Sequence, residues 1–304
     1  MGPPAIVVPS LARKLADASR LQLAFLSATW LAGIYVNGFV SIIPGTGADE
    51  ILLNPAVESH VVLATLSAAT SVFILGLSWA EGSRHATALA LLASISIVIA
   101  GDSGLAFVLG GGSDDAQSMI MATAFVTAIF FTFLSMASLR SDEGSSAYGG
   151  RMASGRARFS CYLALLLFYA VFVSGVYVNL FVAGPVFSLP LGLELAAFKQ
   201  AESSASFLLH EALGGALLLS LILFAASLWS SGERRASLVG AVPAILVAYS
   251  AYVGSLNLTS PPVPSVSSVG GAVSGLVPLL SSAGLTVAIV ITMLLALWMR
   301  ARQA

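Results

Sequence analysis

Eight long apolar runs set the terms for how this chain can fold. They cover about 21–43, 59–80, 87–109, 117–138, 159–183, 206–229, 237–257 and 275–298. A helix of about twenty apolar residues matches the hydrocarbon thickness of a bilayer. Backbone N–H and C=O groups find no water there, so helix is the conformation expected of every run. Charge usage points the same way: 9% of the 304 residues are charged and 58% are hydrophobic, whereas an ordinary soluble domain carries about 25% charged residues. So few charges cannot cover a water-exposed surface, and membrane lipid is the expected partner of most of it. The expected fold class is all-α integral membrane with eight transmembrane helices. The sequence holds no basic tract of the kind that binds nucleic acid. A single cysteine, Cys161, excludes an internal disulfide and a cysteine metal cluster.

The second constraint is an internal match. His60, Leu63, Trp79, Gly82, Arg84 and Ala86 recur as His210, Leu213, Trp229, Gly232, Arg234 and Ala236, all at an offset of 150. Six identities in register over 27 positions indicate a duplication. The first and fifth runs match as well, Gly33-Ile-Tyr-Val-Asn-Gly-Phe-Val against Gly175-Val-Tyr-Val-Asn-Leu-Phe-Val, at an offset of 142. The segment before the sixth run is therefore longer than the one before the second. The expected organisation is a four-helix repeat over 1–138, a polar Ser-, Gly- and Arg-rich linker over 139–158, and a second four-helix repeat over 159–304. With four helices per repeat, the two halves share an orientation and are related by a pseudo-two-fold axis along the membrane normal.

Charge placement predicts the orientation. With eight crossings, 12 of the 13 basic residues fall on one side, with Lys199 alone opposite. Basic loops stay in the cytoplasm, so both termini are expected there, in a multi-pass protein of the cell membrane. The apolar run after Arg13, Lys14 and Arg20 is too long for a signal peptide and has a counterpart in the second half, so it is expected to be a mature helix. The opposite side carries Asp49, Glu50, Glu58, Asp114, Asp115, Glu194 and Glu202.

His60 and His210 are the leading candidates for chemistry. They open the second and sixth runs near the outer ends, at equal depth in the two halves. Neutral imidazole is a common metal ligand and a common haem axial ligand, and a helix bundle can hold a planar macrocycle between its helices. The alternative is an interfacial histidine bonded to a headgroup or a loop carbonyl. Asp102, an acid inside the third run, is a candidate proton relay or a partner for a propionate network; the alternative is a local helix break, with Gly101 and Gly104 letting it cap. Tyr35 and Tyr177 ring the outer ends of the first and fifth runs with Asn37 and Asn179, as cofactor contacts or as interfacial residues.

A duplicated four-helix unit with G-x-Y-V near the outer end of its first helix and a histidine opening its second resembles the haem A synthase family. The motifs that carry the resemblance are Gly33-Ile34-Tyr35-Val36, Gly175-Val176-Tyr177-Val178, His60 and His210. The resemblance implies eight helices in two pseudo-symmetric halves, haem (haem b or haem O/A) in the bundle, His60 and His210 on the haem iron, and conversion of haem O to haem A. It implies a terminal oxidase or a haem O synthase as partner. The sequence departs from the family at several points. The runs corresponding to helices 4 and 8 lack histidine, so Met119 or Met121 is the candidate second ligand in the first half, or else packing filler. The outer loops lack cysteine, and Val61 and Glu211 stand where the family places arginine. The family's catalytic carboxylate lies about one turn before the first-half histidine; Glu58 is the candidate here, two residues before His60. These departures favour a rival reading, an electron-transfer cytochrome b subunit or hydrophobic anchor of a respiratory complex. A transporter is a third reading, and the scarcity of midplane charge weighs against it.

Overall fold

A computed structural model describes residues 11–39, 51, 53–109, 115–138, 155–183, 200, 203–259 and 268–301. Among the described residues the chain is all-helical, with eight α-helices: α1 Leu11–Phe39, α2 Pro55–Ala80, α3 Arg84–Leu109, α4 Asp115–Ser138, α5 Gly155–Tyr177, α6 Ala205–Ser230, α7 Arg234–Thr259 and α8 Ser268–Ala301. A π-helical turn, Val178–Ala183, extends α5. Seven of these, α2 to α8, contain a stretch long and apolar enough to cross a membrane. The eighth, α1, is as long as the others but is diluted by Gln22, Ser27, Thr29, Tyr35 and Asn37. Most of the polar segment expected over 139–158 lies outside the described residues; α5 already begins at Gly155, so Arg156 and Arg158 belong to its first turn.

The helix ends follow local sequence. Asn54 caps α2, its side chain accepting from Ala56 N–H at 3.0 Å, with Pro55 at the first helical position. Ser204 caps α6 through Phe207 N–H at 3.3 Å. Both helices stop at a glycine in the left-handed region, Gly82 at φ 74° and Gly232 at φ 83°. Each of these glycines donates its N–H to the tryptophan carbonyl three residues back, at 3.0 Å. The next helix starts one residue after a second backbone contact, Thr87 N–H to Ser83 O and Ser237 N–H to Glu233 O, both at 2.9 Å. The tight α2–α3 and α6–α7 turns therefore share one geometry. Arg234 also lies over the Trp229 ring, 5.5 Å from its centroid.

Packing is cyclic within each half. The contacts α1–α2, α2–α3, α3–α4 and α4–α1 close one ring of four helices, and α5–α6, α6–α7, α7–α8 and α8–α5 close another. The rings meet through α1–α8, α4–α5 and α4–α8. At that seam Trp30 of α1 packs edge-on against Phe172 of α5, with centroids 4.7 Å apart and an interplanar angle of 69°, and stacks on Phe125 of α4 at 6.2 Å. Phe172 stands 142 residues after Trp30, so the two positions matched by sequence touch each other. Tyr169 of α5 joins the same seam, against the Phe130 ring at 5.3 Å and with its hydroxyl 3.0 Å from that of Thr127.

The outward faces are apolar. Val98 is 67% exposed on α3, Leu219 57% on α6 and Ile245 65% on α7. Serine and threonine sit inside instead, Ser67, Ser78 and Thr292 among them, fully buried. Apolar side chains outside and small hydroxyls between helices suit lipid as the surrounding solvent, and membrane lipid is the contact this surface is built for.

Candidate functional site

Each candidate histidine is held by the helix that precedes it in the chain. The Nδ1 of His60 lies 2.9 Å from the carbonyl oxygen of Thr29 on α1. A carbonyl can only accept, so Nδ1 carries the hydrogen and donates it. That leaves Nε2 as the ring nitrogen with the lone pair. The ring is admitted by a missing side chain: a Cβ on Gly33 would lie 2.9 Å from His60 Cε1. Gly33 and Thr29 are one helical turn apart, so α1 offers a notch and an acceptor on one face.

The second half repeats this arrangement with different atoms. His210 Nδ1 is 2.9 Å from Ser174 Oγ. Ser174 Oγ also lies 3.1 Å from the Val171 carbonyl; with its hydrogen given to that carbonyl, the hydroxyl oxygen accepts from Nδ1–H. A Cβ on Gly175 would lie 3.0 Å from His210 Cε1. Val171 and Gly175 stand 142 residues after Thr29 and Gly33. Both imidazoles are half-buried, sit in a glycine notch and are hydrogen-bonded through Nδ1.

The other candidates fall elsewhere. Met121 packs against α3, its Sδ 3.0 Å from the position of a Cβ on Gly104, and both Met119 and Met121 are half-buried. Glu58 is exposed, and Val57 is the buried residue of that turn. Asp102 is exposed on α3 between buried Ala100 and Ser103, and α3 continues unbroken past it to Leu109. Tyr35 and Tyr177 are 47% and 42% exposed, and Tyr177 packs on Phe181 of the π-helical turn at 5.2 Å. The side chains of Asn37 and Asn179 lie outside the described residues. Glu211 is exposed. Among the described residues no group of three or more His, Cys, Asp or Glu side chains converges on a metal position.

The residues that sequence reasoning passed over are Thr29, Ser174 and Trp30. Each lies within four residues of the G-x-Y-V segments, on the strip of α1 or α5 that the matched histidine or the matched aromatic covers. The signal was the offset of 142 itself, extended one turn upstream. Models of known protein families give no match to this chain, and neither do curated proteins.

Proposed function

We propose that this is an eight-span membrane protein built of two parallel four-helix repeats about a pseudo-two-fold axis along the membrane normal, and that it binds haem through His60 and His210. Exchanging α1 with α5 and α4 with α8 maps the seam contacts onto themselves, which supports the axis. α1 completes the first ring, which supports counting it as the eighth span. An even number of spans puts both termini and the basic turns on the cytoplasmic side of a cell membrane.

One observation carries the haem reading. His60 donates Nδ1–H to α1 and His210 is hydrogen-bonded through Nδ1 to Ser174 of α5, so each ring is fixed by one nitrogen and Nε2 is the one left for a metal, which supports the reading. His60 turns to α1 and His210 to α5, while α2 and α6 share no contact among the described residues. This supports one site per half over one haem shared across the axis. Met119 and Met121 are the candidate second contacts in the first half, and Tyr35 and Tyr177, exposed near the ends of α1 and α5, are the candidate rim contacts. Haem held there supplies one-electron redox chemistry; the protein's own part is to fix each imidazole by its second nitrogen and its notch.

The haem A synthase resemblance assigns conversion of haem O to haem A, with a terminal oxidase or haem O synthase as partner. Glu58 is the residue that would serve that chemistry, and its exposure away from the His60 notch favours the second reading, a cytochrome b-like electron carrier. Expression of the full chain in a haem O-producing host, followed by pigment extraction, separates the two. Haem A in the extract supports the synthase, bound haem b or unconverted haem O supports the carrier, and absence of pigment defeats both.

A further inference from the structure

The two rings differ in what fills them. The buried side chains of α2 include Ser67, Ser71, Ile74 and Ser78. At the positions 150 residues later, α6 buries Leu217, Leu221, Phe224 and Leu228. Gln22 and Thr29 of α1 are each 1% exposed, and their matches on α5 are Ala164 and Val171. α4 and α8 align at an offset of 160, through Ala128 with Ala288, Ile129 with Ile289 and Thr132 with Thr292. In that register buried Ser135 is replaced by buried Leu295. The second ring is thus packed largely with hydrocarbon where the first buries an amide and hydroxyls.

These polar groups surround a cavity of about 10 Å³ between α1, α2, α3 and α4, lined by Gln22, Ser71, Thr132 and Ser135 with Ile74 and two alanines. Both Gln22 Oε1 and Gln22 Nε2 are buried there without a hydrogen-bond partner among the described residues. An unpaired amide inside a membrane bundle is costly. The Ser71 and Ser135 hydroxyls have already spent their hydrogens. Ser94 donates to the Ala90 carbonyl at 2.9 Å, so Ser71 donates to Ser94; Ser135 donates to the Ala86 carbonyl at 3.1 Å. Both oxygens keep lone pairs, and Gln22 Nε2 has hydrogens to give. They lack a small group that can accept from the amide and donate to a hydroxyl oxygen. A cavity of this size admits one water, which needs two to four polar partners.

We propose that the first ring binds one structural water between Gln22, Ser71 and Ser135, and that the second ring is dry. The site is independent of the haem reading, since none of its residues touches His60 or His210.

The test is water-edited solid-state NMR on the full chain in lipid bilayers. The variant Q117N/Q200N/Q303N leaves Gln22 as the only glutamine, so ¹⁵N-glutamine labelling gives one side-chain amide signal. In the wild-type chain the same signal is the one missing from Gln22→Met. Magnetisation from water is expected to reach the Gln22 amide several-fold faster than it reaches the Leu221 backbone amide at the matched position of α6. Equal, slow transfer at both positions, as in a dry interior, overturns the proposal.

Discussion

A methyl group on Gly33 of α1 would lie 2.9 Å from Cε1 of His60 on α2, and Gly175 of α5 stands to His210 of α6 in the same way, at 3.0 Å. The glycine of each G-x-Y-V segment and the histidine of the next helix are therefore two parts of one contact. The glycine provides the recess, and an oxygen of the same helix faces Nδ1, the Thr29 carbonyl in the first half and the Ser174 hydroxyl in the second.

Gly33→Ala and Gly175→Ala should each push the imidazole off its acceptor. Overpacking of this kind costs about 1–3 kcal/mol, read as a lower thermal midpoint in detergent. Gly76→Ala is the control, because nothing lies within 4 Å of a Cβ there. A mid-helix Gly→Ala change without a clash should stabilise, by about 0.5–1 kcal/mol. Equal midpoints for all three variants would contradict the notch.

Gly82 and Gly232 close α2 and α6 at φ 74° and 83°. Alanine at either site meets the left-handed penalty of about 1–2 kcal/mol, while asparagine should be tolerated better. Thermal unfolding of the two alanine variants should show similar losses, since the two turns share three backbone hydrogen bonds, including the one the glycine N–H donates.

Ser174→Ala removes the hydroxyl that accepts from His210 Nδ1–H and leaves the Val171 carbonyl in place. Loss of a partner behind a metal-binding histidine typically lowers affinity about 10–100-fold. Haem titration of the variant should show one weakened and one unchanged site, because the acceptor for His60 is a backbone carbonyl that the substitution leaves alone.

The orientation is open to labelling with a membrane-impermeant thiol reagent. Ser83→Cys and Ser231→Cys in the basic turns should react only from the cytoplasmic side, and Ser203→Cys before α6 only from outside. Cys161 is buried and should contribute little background.

Much of the helical architecture was legible in the sequence because one physical demand, satisfying backbone polar groups in hydrocarbon, acts on every residue of a run. The turns after Trp79 and Trp229 were legible for a similar reason: a glycine must adopt positive φ there, and the match at 150 marked both. The histidine sites were only half legible. Spacing identified His60 and His210, but their partners sit on another helix and use main-chain or hydroxyl oxygen, which carries no distinctive residue signature. Asp102 shows the converse. Sequence marks an acid within an apolar run, but whether it faces the bundle depends on the rotation of α3, which is set by the burial of Ala100 and Ser103. The polar filling of the first ring was equally hidden, since Gln22 and the α2 serines look unremarkable until packing places them together.

The central claim, that His60 and His210 each hold a haem, is tested most directly by reduced-minus-oxidised visible spectra and haem-to-protein ratios of the purified chain, His60→Gln, His210→Gln and the double variant. The account predicts a low-spin haem band in the wild type, reduced by about half in each single variant and absent from the double, by the one-ligand-per-site argument. A wild-type chain without pigment, or a double variant that keeps its full haem content, would contradict it and leave the two histidines as clasps that lock α2 to α1 and α6 to α5.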